Sequence, residues 1–462
     1  MTSGRLVAIF DAGKTHLKLS VVDPPTLEVL HFRSCDTPWI PAAPYSHLNH
    51  EAAEVFLIDA LRDCPLRHRI GTVLPIGHGA AAALLCNDGT LAAPILDYED
   101  PAISSVDALY VPRRDRFAET LSPDLPLGLN LGRQLLFLKT LHGALYDRAA
   151  SIVPYPQYWA LRMCGVAASE VTSLGCHSDL WHPRTSQFSR FAASEGFAAL
   201  FAPLRKAGDC LGTITPAFAL RTGLTSDVRV HCGIHDSNAA YLGHLIASED
   251  SVPTVISSGT WVVIMAKSAD PAHLIADRDH LANVDALGGI VPTARFMGGR
   301  EYEVIAGVHS PAPAIATLDA LIEEDVLALP SFASSGGPFC DSNGSIRSAR
   351  NLSPIERATL ATLYVALVTD QCLSDLGAKG DIVVEGVLTQ NPLYGSILAA
   401  LRVGQRVLLA DGEAASRRAA CSLCGETTAA GLALSVAVPV SSDVAAYRSI
   451  WQHAIQAAPD QS

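Results

Sequence analysis

The sequence predicts an α/β protein of two lobes, and three observations carry that expectation. Strand-like and helix-like periodicity alternate along the whole chain. Its 462 residues exceed what one hydrophobic core usually supports. A strand, small-residue turn, strand pattern near the N-terminus also returns in the second half, over residues 253–266.

The elements follow in order. Leu6-Val7-Ala8-Ile9-Phe10 is an apolar run that ends at Asp11. After a short turn, Leu17, Leu19 and Val21 alternate with Lys18 and Ser20, which reads as an antiparallel return strand. Gly13-Lys14-Thr15 would close a P-loop, but that motif needs a glycine five positions earlier and Ala8 stands there. What remains is a hairpin with a carboxylate at the end of its first strand and backbone N–H groups in its turn. Those groups suit a hydrated magnesium ion and phosphate oxygens, and the same residues also fit an ordinary surface hairpin. A helix is expected over 51–62, a strand over 71–76 and a helix over 132–146. The polar break 248–251 marks a boundary between lobes 1–247 and 248–462, and the second hairpin, PTVISSGTWVVIMA, follows it. Two such hairpins, one per lobe, would flank one cleft and let a polyphosphate bridge them. Ser353-Pro354-Ile355-Glu356 combines an N-cap, a first-turn proline and the reciprocating acid of a capping box, so a long helix should start there and end near Gly377. A strand over 381–385 and a helix over 392–402 complete the pattern.

Composition narrows the function. A net charge of −13 disfavours a nucleic-acid backbone as partner. The eleven cysteines are scattered without a framework, as expected of reduced thiols in a cytoplasm; Cys421-x-x-Cys424 has no companion pair for zinc. The start MTSGRLVAIF is too short an apolar stretch for a signal peptide, and no run approaches the ~18 apolar residues of a membrane span. The expected location is cytoplasmic.

Four segments, in this order, resemble the FGGY carbohydrate kinases of the actin, hexokinase and heat-shock chaperone ATPase superfamily. They are Asp11-Ala-Gly-Lys-Thr-His-Leu-Lys18, Gly233-Ile-His-Asp-Ser-Asn-Ala-Ala240, Ser257-Ser-Gly-Thr-Trp261 and Glu385-Gly-Val-Leu-Thr-Gln-Asn391. Gly77-His78-Gly79-Ala80, Leu96-Asp97-Tyr98-Glu99, residues 152–159 and the His235-Asp236 pair look most like the rhamnulokinase and fuculokinase branch. The resemblance implies two ribonuclease-H-like lobes in an actin-like ATPase fold, each a mixed sheet flanked by helices, with a cleft between. It also implies transfer of the γ-phosphate of ATP, with Mg2+, to a hydroxyl of a ketose such as a pentulose, hexulose or 6-deoxyhexulose. A catalytically silent sugar- or nucleotide-binding protein on the same fold is the rival reading. A homodimer stays open.

The family's roles fall on named positions. Asp236 matches the base that takes the sugar proton, and as the first residue of a helix it also fits a plain helix cap. His235 and Ser237 match sugar-side positions, although His235 equally fits a satisfied core histidine. His78 would meet a hydroxyl, and Gly79 would leave room for the sugar. Asp11 matches the magnesium-associated acid, and Lys14, Thr15 and Lys18 match phosphate contacts. Gly259 and Thr260 match the second phosphate loop, and Gly386 and Asn391 the adenosine segment. The match weakens in two places. Val387-Leu388-Thr389 stands where relatives have glycines, and Phe296 stands where the rhamnulokinase type carries a sugar-contacting asparagine. Arg300 and Glu301 read as an ion pair on a solvated loop or as cleft residues. Residues 425–431 fit a small-residue helix beside the base.

Overall fold

A computed structural model describes residues 5–248, 252–333, 336–339 and 342–457. Of the polar break at 248–251, only Ser248 lies within the described residues. By its contacts the chain divides into two units: residues 1–246 with 282–290 and 413–431, and residues 247–281 with 291–412 and 432–462.

The first unit is organised on a mixed sheet. β1 (Leu6–Ala12) and β2 (His16–Asp23) form the expected hairpin, and β3 (Glu28–Asp36) extends it antiparallel. On the other side of β1 lies β4 (Ile70–Gly77), parallel to it, and β4 is flanked by parallel partners from later in the chain. β5 (Cys210–Thr213) pairs antiparallel with β6 (Arg229–His231), which runs parallel to β4, and β7 (Ile234–His235) pairs with the end of β4. The continuous apolar run of β1 follows from burial of both its faces. Leu6, Ala8 and Phe10 pack toward α1 (His50–Arg62) and α2 (Tyr155–Cys164), through Leu57, Leu61, Tyr158 and Trp159. Val7 and Ile9 pack on the opposite face with Ala239 and Leu242 of α3 (Asp236–Ala247) and with Ala419 and Ala420 of the helix Gly412–Leu423.

The second unit repeats the hairpin. β8 (Thr254–Ser258) and β9 (Val262–Ala266) are antiparallel, and β10 (Ile290–Phe296) pairs with β9. β11 (Ile382–Gly386) runs parallel to β8, followed by β12 (Val407–Ala410) and β13 (Leu434–Val436). α4 (Gly298–Ala306), α5 (Pro354–Leu376) and α6 (Tyr394–Leu401) flank this sheet. The capping box at α5 is present: Ser353 Oγ accepts from Glu356 N, the Glu356 side chain accepts from Ser353 N at 2.7 Å, and Gly377 closes the helix at φ +65°.

Several expectations are corrected. The helix expected over 132–146 is two, Leu131–Leu141 and Gly143–Tyr146, because His142 leaves the helical conformation between them. Residues 425–431 are not helical. The helix before them ends at Leu423, Gly425 turns the chain at φ +76°, and Ala429 and Ala430 then donate to Pro25 O. Cys421 and Cys424 are buried in the apolar face under β1 and β4, and burial pushes both thiols up to about 12. They are packing residues. Glu301 is not on a solvated loop: it sits in α4, buried, and accepts from Phe332 N and from the Tyr364 hydroxyl of α5. Arg300 pairs with Glu303 instead, at 3.6 Å on an exposed face.

Candidate active site

The first unit gathers its titratable side chains where three parallel strands end. Asp11 of β1 lies opposite Ile76 of β4, and Ile234 of β7 lies opposite the same Ile76. The strands that deliver Asp11 and Asp236 are therefore two strand spacings apart, about 10 Å, on either side of one strand. Open α/β sheets bind ligands at such carboxyl ends.

Asp236 opens α3, and its Oδ1 accepts from Ser237 N at 2.6 Å and Ser237 Oγ at 3.3 Å. His235 is buried beside it with Nε2 3.3 Å from Asp236 Oδ1. The Asn238 amide lies 3.5 Å from Nδ1; with that nitrogen accepting, Nε2–H donates to the carboxylate. Burial lowers the His235 pKa, so a neutral ring orients Asp236. His235 N donates to Thr172 Oγ1, which in turn donates to the buried Glu170. This support was invisible in the sequence, since residues 170–172 lie more than sixty positions upstream with no motif of their own.

Gly79 also faces a protein neighbour. A Cβ built there would fall 2.5 Å from His235 Nε2, so the glycine makes room for the imidazole. His78 is buried, and its Nδ1 donates to Gly79 O at 2.7 Å. That leaves Nε2 as an acceptor without a partner among the described residues. Burial pushes this histidine down to about 4, so it is neutral at ordinary pH and presents a lone pair suited to a hydroxyl proton.

Asp11 is partly buried at the hairpin turn. Desolvation, with the charge of Asp236 as the next cause, pushes it up to about 7, against the pull of Lys18. Lys18 stands opposite Asp11 across the hairpin and pairs with Glu413 at 3.1 Å. Asp11, a desolvated carboxylate whose proton affinity the charge of Asp236 raises, offers hard oxygens that fit a divalent cation completed by water and phosphate. No three metal-ligating side chains cluster among the described residues. Thr15 is exposed in the turn, and Gly13 N closes it on His16 O at 3.0 Å. Lys14 has partners other than phosphate: its Nζ meets Asp97 and Glu99 and lies 4.0 Å from the Trp39 ring centre.

In the second unit, Gly259 and Thr260 form the turn between β8 and β9, with open space where a Gly259 side chain would stand. α4 begins directly on this turn. Gly299 N donates to Thr260 O, and a Cβ at Gly299 would fall 2.2 Å from Gly259 O. Gly386 adopts φ +83° and comes so close to β8 that a Cβ would sit 2.0 Å from Ser258 O. Val387–Gln390 is a short 3-10 helix with Val387 exposed, and Leu388 turns inward. Asn391 caps α6: Oδ1 accepts from Leu393 N and Tyr394 N, while Nδ2 donates to Thr362. Phe296 is buried at the end of β10 against the start of α4.

Comparisons with known proteins bear on this geometry. The family described as carbohydrate kinase FGGY, C-terminal domain, matches residues 250–431. A solved carbohydrate kinase from Novosphingobium aromaticivorans is 36% identical over 99% of this chain and 100% of its own, with a TM-score of 0.91. The chain belongs to the FGGY carbohydrate kinase family. The two units are accordingly those of the actin-like ATPase fold. L-fuculokinase from Escherichia coli K12 is 26% identical over 196 residues, a match that spans 41% of this chain and 40% of the fuculokinase. Xylulose kinase from Rhodospirillum rubrum shares the fold, with a TM-score of 0.77 at 16% identity over 98% of this chain and 97% of its own. No helix among the described residues is long and apolar enough to cross a membrane.

Proposed function

We propose that the protein transfers the γ-phosphate of ATP to a hydroxyl of a ketose, of the pentulose, hexulose or 6-deoxyhexulose class, with Mg2+. One observation carries this reading: Asp11, near the end of β1, and Asp236, directly after β7, stand on either side of β4, close enough for the charge of Asp236 to raise the proton affinity of Asp11. Phosphoryl transfer needs little covalent work from the protein, but it needs the acceptor proton removed and the phosphate charge neutralised. Asp236, held by His235 and by Ser237 N, is the base for the acceptor hydroxyl. His78 Nε2 accepts a hydrogen bond from another hydroxyl. Asp11 would hold a divalent ion, whose charge when bound would screen the phosphate oxygens. Lys18, the Thr15 turn, Gly259 and Thr260 serve phosphate, and Gly386 with residues 387–391 lines the nucleoside side.

The test is a coupled ADP-release screen over D-xylulose, D-ribulose, L-rhamnulose, L-fuculose, D-fructose and simple polyols, with Mg-ATP saturating. Sugar-dependent ADP release from at least one ketose is expected. ATP and sugar binding by calorimetry without any ADP release would favour the silent binding protein instead.

A further inference from the structure

Lys14 sits in a cage that the phosphate role does not explain. Its ammonium meets Asp97 and lies 3.3 Å from Glu99, 4.0 Å from the Trp39 ring centre and 4.7 Å from that of Tyr98. The cage is built on both sides. Trp39 Nε1 donates to Lys14 O at 2.8 Å, and Thr37 Oγ1 donates to Gly13 O at 2.8 Å, so the segment after β3 clamps the hairpin turn. Asp97 also accepts from Glu99 N. The same two rings reach His78, with Tyr98 and Trp39 centred 5.8 and 6.2 Å from its imidazole.

The position of this cage separates the two lysines of the hairpin. Lys18 faces Asp11 across the strand pair, the metal and phosphate end of the site. Lys14 points the other way, to the aromatic wall beside the buried Nε2 of His78, which has no partner among the described residues. His78 feels the charges of both Asp236 and Lys14, which puts the cage at the base's end of the site. Ring faces suit the C–H side of a sugar, and a lysine already held by carboxylates can donate a remaining N–H to a hydroxyl. The cage supplies one cation for two carboxylates, Asp97 and Glu99, and the charge of Asp236 reaches Tyr98 as well. A carboxylate on the substrate would meet net negative charge there.

Resting on the kinase reading above, we propose that Lys14, Trp39 and Tyr98 form the wall of the acceptor pocket and select a neutral polyhydroxylated sugar over a sugar acid, with Lys14 serving the sugar and not the nucleotide. The test is Lys14→Met, assayed with the best ketose from the screen and with D-gluconate, together with calorimetric binding of Mg-ADP. The expected result is a rise of about tenfold or more in the sugar KM, as for loss of a charged hydrogen bond. The ATP KM and Mg-ADP affinity should stay within about twofold, and the wild type should not phosphorylate gluconate. Retained Mg-ADP binding shows that the variant is folded. A tenfold loss of Mg-ADP affinity with the sugar KM unchanged would overturn the assignment while leaving the kinase reading intact, as would a preference of the wild type for gluconate. A wild type inactive with every acceptor would instead remove the kinase reading and this inference with it.

Discussion

The two hairpins share a skeleton and differ in charge. In each, the first strand is parallel to a neighbour from later in the chain and antiparallel to its own return strand. Asp11 stands opposite Lys18 in the first hairpin, and Ser257 stands opposite Val263 in the second. The first turn carries Lys14 and Thr15; the second carries Gly259 and Thr260 and is backed by the N-terminus of α4. One hairpin thus holds a carboxylate and two lysines, and the other holds a glycine and a hydroxyl with no formal charge in its turn. The difference teaches that the charged groups stand at the first hairpin, which is why the proposal places acid–base and metal chemistry in the first unit and phosphate hydrogen bonds in the second.

The sharpest way to break that division is Asp236→Asn. Turnover should fall by a factor on the order of 10² or more, the scale of a lost general base, while sugar binding measured by calorimetry changes little. Near-normal turnover would return Asp236 to a helix residue. A smaller effect is expected from the neutral hairpin. Thr260→Ala removes one hydroxyl donor and should raise the ATP KM by roughly two- to tenfold with kcat nearly unchanged, the worth of one hydrogen bond. A loss matching that of Asp236→Asn would mean that the second turn does more than bind. The smallest effect is on stability. The Asp11 carboxyl is raised to about 7 in the fold, so ionising it disfavours the folded state, and stability from this group is lost as pH rises from about 4 through 7. In metal-free buffer Asp11→Asn should melt near the wild type at pH 4 and progressively above it toward pH 7.5. A constant difference across that range would contradict a buried, charge-coupled Asp11.

Much of the fold was legible because local signals agreed. Both hairpins show period-two or continuous apolar runs around small-residue turns, and α5 announced itself through Ser353, Pro354 and Glu356. Where the reading failed, composition had stood in for geometry. Small residues at 425–431 do not make a helix once Gly425 takes a left-handed turn. Glu301 read from the sequence as a solvated ion pair or a cleft residue, yet helix periodicity in α4 turns it inward onto Tyr364, more than sixty residues away. The site divides the same way. Asp11, His235 and Asp236 were readable from motifs next to apolar strands, whereas the clash that a side chain at Gly79 would make with His235 spans more than 150 residues. That the Asn391 side chain accepts from Leu393 N and Tyr394 N at the start of α6 was not legible either, since it depends on the turn the chain takes there. Trp39 and its hold on Lys14 depend on a segment whose only local mark is a proline before it.

The claim on which the rest stands is that Asp11 serves the metal and Asp236 the acceptor. A magnesium titration of turnover in Asp11→Asn and Asp236→Asn, with the best acceptor saturating, separates the two roles. The account predicts an apparent Mg2+ requirement raised about tenfold or more in Asp11→Asn, with activity recovering as the ion is added, and a low turnover in Asp236→Asn at every concentration. The same magnesium dependence in both variants would contradict it.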